Sequence, residues 1–420
     1  MVMLQDRAGS GAAETPLALL KPHWRLVLAA FLGWFLDAFD QVTLLLVLPE
    51  IGKHFGVSLT AMGLVITAQS LGRIGGNIGW GWLADKYGRK LTFMLGVIWF
   101  AAFSGLSGLA WSYGALLVIQ LLFGIGFGGE WTASAALLME TVPERARAMA
   151  SSLMMAGYEV GFFAAAGVQA LLLPHFGWRV LFFVGVAPAL LAVFIRVGIN
   201  ESPVWLRMQR ERASGTPAQQ AADKPTFSMT PAAWQACAFM LALQFQTASI
   251  YDFYPTLLKT VGGFGPSGVF AGIAAYSIGS VLGKLICGQV ASRIGARPTI
   301  LGCLAITFCA IIPFASAFNA WTLLASAMII GASSSGVFAL VPHYLSLRFS
   351  NAIRSFGMGI AYALAAGGQA VATYVLPKTG ESLGLSHAIM LFVGVSTVVT
   401  AAVAFWTPRV LPGQDMEAAA

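Results

Sequence analysis

Seven ionisable residues fall inside long apolar stretches of this chain: Asp37, Asp40, Arg73, Glu130, Glu159, Asp252 and Lys284. At the centre of a bilayer such a group costs about 2.5 to 3.5 kcal/mol to insert, so it must face protein or a water-filled cavity and marks an ion or substrate path. Asp37 and Asp40 stand three apart, hence on one face of a helix. Arg73 lies near the midpoint of the next stretch, where an antiparallel neighbour brings a guanidinium level with the two carboxylates. The trio suits proton coupling and substrate binding, or a structural ion pair. Glu130 and Glu159 also stand near mid-depth. Glu130 suits a hydrogen bond into a glycine-rich helix contact as well as coupling, and Glu159 has an open role. Asp252 lies about 10 Å outward of its helix centre and Lys284 about 9 Å inward of its own, which makes them a poor resting pair. Lys284 is expected either to snorkel to the inner surface or to meet an anion.

Five acids against two bases leave an excess of negative charge in low dielectric, so some of the five are expected to hold protons at rest. That is what proton loading and release requires. The same excess would also suit an organic cation, which leaves Arg73, a fork-shaped carboxylate donor, to carry an anion reading. Tyr251, Tyr254, Tyr276, Tyr362 and Trp131 offer apolar walls with polar tips for a cavity between helices.

The elements that hold these groups follow from composition. The chain is 58% hydrophobic and 10% charged, with a mean hydropathy of +0.77, and a membrane-spanning helix needs about 20 largely apolar residues. Twelve such segments are readable: 24–48, 61–83, 91–111, 115–140, 147–173 and 178–197, then 232–258, 266–291, 298–318, 321–347, 353–376 and 386–407. The expected fold is an all-α polytopic membrane protein. It has a tail at 1–23, a six-helix bundle at 24–197, a polar linker at 198–231, a second bundle at 232–407 and a tail at 408–420. Residues 1–22 are polar and carry no apolar core before a cleavage site, so the first helix is expected to be an uncleaved anchor. Eighteen of the 24 Lys and Arg fall in the two tails and in alternate loops, which places both termini in the cytosol of an inner membrane. The net charge of +7 is therefore topology and not a nucleic-acid surface.

One motif repeats. Gly81 to Lys90 reads GWLADKYGRK, and Gly288 to Arg297 reads GQVASRIGAR, 207 positions on. The same offset carries Gly124 onto Gly331, Gly129 onto Gly336 and Arg147 onto Arg354, so the chain is a duplicated six-helix unit. GWLADKYGRK resembles the loop motif after the second helix of the major facilitator superfamily, and the twelve spans with a degenerate half-chain copy resemble that fold along nearly the whole chain. The resemblance implies two bundles that rock about a midplane cavity. It also implies a latch on the cytosolic face: Gly81 for close helix approach, Asp85 for capping and charge pairing, Gly88, Arg89 and Lys90 for a tight basic turn, and Arg145 and Arg147 on the next inner loop. Ser292 stands where Asp85 would recur.

Narrower resemblances lie at DAFD (Asp37 to Asp40), GIGFGGEW (Gly124 to Trp131) and NESPVWL (Asn200 to Leu206), which look like the metabolite and sialate/lactate proton symporter branches. The lactate-type pattern of the seventh helix is matched at Thr247, Asp252 and Thr256 and departed from at Gln244, Ala248, Ile250 and Tyr251. Gln120 stands where many proton-coupled members carry arginine, and the fifth span lacks the Gly-Pro motif of drug antiporters around Gly157 to Gly161. The implied activity is proton-coupled uptake of a small organic anion, a monocarboxylate such as lactate or pyruvate. Alternatives are a sialate-like sugar acid or an aromatic acid, an organic cation or zwitterion, and a transporter-like nutrient sensor. The expected proton-coupling residues are Asp37, Asp40, Glu130, Glu159 and Asp252. The expected substrate contacts are Arg73, Gln244, Thr247, Tyr251, Asp252, Thr256 and Lys284. No cofactor or metal is expected, and a monomer is.

Other chemistries lack their residues. Gly279 to Lys284 has three residues between its glycines and Leu285 after the lysine, where a phosphate loop needs four and a Ser or Thr. Cys237, Cys287, Cys303 and Cys309 form no CxxC and read as small buried hydrophobes. His23, His54, His175, His343 and His387 are scattered at helix ends and loops, with no nucleophile beside them, so no enzyme is expected.

Overall fold

The computed structural model describes residues 15–57, 59–186, 198–214, 229–316 and 319–406. The described residues are helical with short turns. After a lead-in helix, Pro16–Leu20, the first half runs α1 Trp24–Phe55, α2 Leu59–Tyr87, α3 Arg89–Gly108, α4 Tyr113–Thr141 and α5 Glu144–Phe176. A sixth helix, α6, is described over 178–186. A linker helix, α7 Pro203–Ser214, follows. The second half runs α8 Pro231–Tyr251, α9 Tyr254–Thr260, α10 Pro266–Ile294, α11 Ala296–Ser316, α12 Ala320–Phe338, α13 Val341–Ser346, α14 Arg354–Leu383 and α15 Leu385–Phe405.

Among the described residues, nine helices are long and apolar enough to cross a membrane. Three of the expected twelve segments fall short for separate reasons. α2 carries Gln69, Arg73 and Asn77 in its length, the segment at 178–197 passes out of the described residues, and the seventh segment, which is also broken, carries Gln235, Gln244 and Gln246 in its helix Pro231–Tyr251. That break falls at Asp252 and Phe253, just before Pro255 at the start of α9, so the expected span 232–258 is two helices. Proline has no N–H to continue an α-helical ladder and suits the first turn of a new helix. The tenth segment is interrupted the same way before Pro342 in α13. Irregular backbone at membrane depth is tolerated where it is buried in protein or lines a cavity.

Within each half the helices meet through glycine. A Cβ on Gly72 would stand 2.0 Å from the carbonyl oxygen of Leu121, and one on Gly124 would stand 2.0 Å from that of Gln69. α2 and α4 therefore touch backbone to backbone. The duplicated contact in the second half keeps the same register: Gly279 against Met328 O at 2.2 Å and Gly331 against Tyr276 O at 2.1 Å, joining α10 to α12. Each of these four positions lies 207 residues from its counterpart. Without a hydrophobic drive between helices in lipid, such close approach supplies van der Waals contact instead.

The halves meet along two seams, α2 with α14 and α5 with α10. Gly81 and Gly359 allow the first, where added Cβ atoms would fall 2.6 Å from Ser355 O and 2.1 Å from Asn77 O. The second is tied by a hydrogen bond from Ser152 to Lys284 O, and beside it Ser151 donates to Ala339 O at the end of α12.

Replacing Gly124 by leucine should force α2 from α4 and cost about 1 to 3 kcal/mol or more by overpacking. Gly79→Ala, which meets nothing within 4 Å, should be neutral or slightly stabilising. Thermal unfolding of the detergent-purified variants checks this; equal midpoints for both would refute the close contact.

Candidate functional site

A cavity of about 300 Å³ lies between the halves, near the middle of α1, α5, α8 and α14. Its charged lining is Arg73, Glu159, Asp252 and Lys284, and its aromatic lining is Trp34, Tyr158, Phe162, Tyr251, Tyr276, Phe338 and Tyr362. Leu45 is exposed at one end of it, and so is Asp252. The cavity thus opens on the face opposite the Gly81 to Lys90 loop. Its floor, on the loop side, is Met155, Glu159, Lys284 and Ser335.

The floor holds a buried ion pair across the seam. Lys284 Nζ of α10 stands 3.0 Å from Glu159 Oε1 of α5 and 3.3 Å from the Met155 carbonyl. Ser280 Oγ donates to the same Glu159 oxygen at 2.7 Å and lies 2.6 Å from Ser335 Oγ. Lys284 is only 3% exposed, so it does not snorkel to the inner surface. The acid on the neighbouring seam helix meets it first. A lysine and a glutamate 125 residues apart carry no local spacing that would announce this pair.

At the opposite end the Gln369 side-chain amide donates to Asp252 Oδ2 at 3.2 Å, and Gln244 approaches Gln369 at 3.5 Å. Thr247 and Tyr251 line the cavity with them. Thr256 does not: it is exposed on α9, beyond the break that turns the chain away. Arg73 lies against the Phe127 ring at 4.2 Å and near the Tyr362 ring at 5.9 Å, which fixes the guanidinium at the cavity wall. Asp37 and Asp40 are buried beside the cavity and are not part of its lining. Asp40 is turned toward α3 and α6, where Ser104 Oγ donates to it at 3.0 Å and Gly185 leaves it room. The two aspartates therefore do not act as one face toward the substrate space. Glu130 sits on α4, and its side chain is outside the described residues. Of the proposed aromatics, Trp131 backs the wall by stacking on Tyr362 at 4.0 Å. Tyr254 is packed away on Phe314 at 4.4 Å. Gln41, Tyr158 and Gln369 were missed by the sequence reading, because single amides and phenols in apolar helices carry no pattern.

The loop face carries the second charged cluster. Glu140, at the end of α4, is fully enclosed between Arg89 Nε at 3.2 Å and Arg354 Nη1 at 2.8 Å. Arg89 also pairs with Asp85 at 3.0 Å and donates to the Asn351 carbonyl at 2.8 Å. Asp85 reaches across the seam and accepts from the backbone N–H groups of Ser355 at 3.2 Å and Phe356 at 2.8 Å. It caps the first turn of α14, where free N–H groups and the helix dipole favour an anion. Burial pushes its carboxyl up to about 6 despite the opposing pull of Arg89.

The linker closes over this cluster. Glu201 accepts from the N–H groups of Arg89 and Lys90, each at 3.1 Å, Ser202 donates to Glu140, and Trp205 donates to the Asp85 carbonyl at 3.1 Å. Gly88 has φ +110°, a conformation that favours glycine, and a Cβ there would stand 2.4 Å from the Glu201 carboxylate and displace it. Of the expected basic partners, Arg147 is buried and donates to Met139 O at 2.9 Å. Arg145 is exposed and outside the cluster. Glu140 and Arg354 take the central places.

Comparison with known proteins decides the family. The sequence model of the Major Facilitator Superfamily matches residues 30–274 and 264–419. The chain belongs to the major facilitator superfamily. Its architecture is the twelve-helix fold of that family, in two six-helix bundles, and it is a multi-pass membrane protein. A probable 4-methylmuconolactone transporter of Cupriavidus pinatubonensis is 31% identical over 80% of this chain and 78% of that protein. The sialic acid transporter NanX of Escherichia coli is 27% identical over 87% of this chain and 90% of that protein. The proton:xylose symporter XylE superposes with a TM-score of 0.75 at 17% identity, covering 94% of this chain and 98% of that one.

The cysteines need one correction: Cys309 is exposed, whereas Cys237, Cys287 and Cys303 are buried as small apolar residues. Cys287 and Cys303 lie with their sulfurs 3.2 Å apart.

Glu140→Gln should leave two buried guanidiniums without their shared carboxylate and cost about 3 to 5 kcal/mol. Asp85→Asn should cost less, because Arg89 keeps Glu140 and the amide oxygen still accepts from α14. Thermal midpoints in detergent rank the two variants; the reverse order would displace Glu140 from the centre of the cluster.

Proposed function

We propose that this transporter takes up a small organic anion together with protons, by alternating exposure of the cavity between the halves. The observation that carries the reading is the cavity itself: two cations, Arg73 and Lys284, and two carboxylates, Glu159 and Asp252, in one enclosed space walled by aromatic rings. A guanidinium and an ammonium suit a carboxylate, and the acids suit protons. The seven aromatic side chains favour a monocarboxylate with a flat unsaturated or ring body over a three-carbon one such as lactate. Relatives named for a muconolactone and a sialic acid support an organic acid of that size.

The charge bias of the loops places both tails, 1–23 and 408–420, and the linker at 198–231 in the cytosol of the inner membrane. The loop face is then cytosolic, the bundles are 24–197 and 232–407, and the state described here is open to the outside. Asp37, Asp40, Glu130, Glu159 and Asp252 are the candidate proton carriers, with Asp37 and Asp40 acting from behind the wall. Arg73, Gln244, Thr247, Tyr251 and Lys284 are the candidate substrate contacts, and the site is complete within one chain, so a monomer suffices.

Proteoliposomes with an acidic exterior should accumulate radiolabelled benzoate or 4-hydroxybenzoate above the level reached without a gradient, and a protonophore should abolish the difference. Arg73→Gln should lower uptake about tenfold or more, the loss expected for one charge-assisted contact. Uptake of a quaternary amine in place of the acids, or uptake indifferent to the pH gradient, would overturn the reading.

A further inference from the structure

The Glu159–Lys284 pair joins three properties at one point: it is buried, it crosses the seam between the halves, and it lines the cavity. Among the described residues Lys284 has one carboxylate partner, Glu159 Oε1, and its other contacts are neutral, the Met155 carbonyl and the Tyr158 ring at 6.0 Å. The second Glu159 oxygen, Oε2, is buried without a hydrogen-bond partner among the described residues. A carboxylate held by one oxygen, with the other oxygen bare, has a free place for a proton.

We propose that a substrate carboxylate and Glu159 compete for Lys284, and that Glu159 yields the ammonium only by taking up a proton. This rests on the reading of the protein as a proton-coupled organic-anion transporter, and it names the residue pair that does the coupling. Before binding, the pair is Lys284 ammonium with Glu159 carboxylate. Afterwards it is Lys284 ammonium with the substrate carboxylate, beside a neutral Glu159 carboxylic acid. The proton comes from water on the open side of the cavity and bonds to Glu159; Lys284 keeps its own. The net charge of the floor is zero in both states, so anion and proton enter as a neutral couple.

The alternative, anion binding with no proton, would place two carboxylates on one ammonium in a water-poor space. A like charge left without a partner there is strongly unfavourable. The groups facing the pair do not relieve it: Arg73 from α2, the second cation of the cavity, is offset in charge by Asp252, so an anion bound without a proton still leaves one net negative charge, and Tyr158, Tyr251, Tyr276 and Tyr362 are phenols. Ser280 Oγ, between Glu159 and Ser335, bridges α10 to either side as the carboxyl changes state.

Because Glu159 belongs to α5 and Lys284 to α10, the same exchange removes an ion pair that ties the halves together on the loop side. Substrate alone cannot break it without creating an unpaired acid, and a proton alone would strand the lysine. Only the two together release the seam, which is the condition for coupled transport.

Titration calorimetry of the purified full-length protein with sodium benzoate and sodium 4-hydroxybenzoate, in buffers of differing ionisation enthalpy, counts protons taken up per anion bound. The wild type should take up about one proton per anion, as linkage through a single displaced carboxyl requires. Glu159→Gln should bind as well or better with a proton count near zero, and Glu159→Asp should restore the count. Lys284→Gln should weaken binding about tenfold or more, as for a lost charge-assisted hydrogen bond. Binding by the wild type with no proton uptake, or an unchanged count in Glu159→Gln, would overturn the pair as coupling element while leaving anion transport standing. No binding of either acid would overturn the anion reading and the inference with it. If Glu159→Gln does not fold, the wild-type count and Lys284→Gln still decide.

Discussion

A charge removed from water must be met by an opposite charge, and in this protein the partner repeatedly lies on the other half of the molecule. Glu140 of the first half faces Arg354 of the second, Asp85 caps α14, and Glu159 faces Lys284. These contacts hold the halves together from the loop face down to the cavity floor. Buried ion pairs contribute little net stability against an apolar replacement, yet breaking one by removing a single partner is costly. They therefore suit a seam that must hold firmly and still part. An apolar seam would have no chemical trigger, whereas an ion pair can be released by water, a proton or a competing anion.

What moves must itself be stiff. The glycine contacts of α2 with α4 and of α10 with α12 bring backbones to a separation that no side chain can enter, so each half resists internal shear. Irregular backbone is placed elsewhere, at the break between α8 and α9 beside Tyr251 and Asp252 and at the turn between α12 and α13. A break thus lies at the cavity edge, and the register of the two halves is kept by their cores.

The duplication was legible because it is written in glycines, and glycine positions carry structure directly. The 207-residue offset maps Gly72 and Gly124 onto Gly279 and Gly331, and the same offset relates the carbonyls they touch. Which carboxylate meets which cation was not legible. Asp37 and Asp40 share a helical face by spacing, but the short side chain of Asp40 finds Ser104 and the room left by Gly185, both on other helices. Arg145 and Arg147 read alike in sequence, and only the latter is covered by α4. Pairings of this kind depend on helix rotation, which periodicity leaves free when hydrophobic residues surround a helix on all sides.

The two seams are related by the duplication, but their charged contacts sit at different depths. Beside the α2–α14 seam, Asp85 and Arg89 lie buried at the loop end, beyond the reach of anything in the cavity. The counterpart of Asp85 on the other seam, Ser292, bonds to the Gln289 carbonyl of its own helix and, among the described residues, reaches across to nothing that bears charge. There the charged contact has moved inward to Glu159 and Lys284, ten residues or about 15 Å from the Ile294 end of α10. A ligand in the cavity can touch that pair and cannot touch Asp85. The loop-end cluster is then released by water as the face begins to part. Under the proposed coupling the inner pair is released by the cargo, and that division would make opening of the loop face conditional on a loaded site.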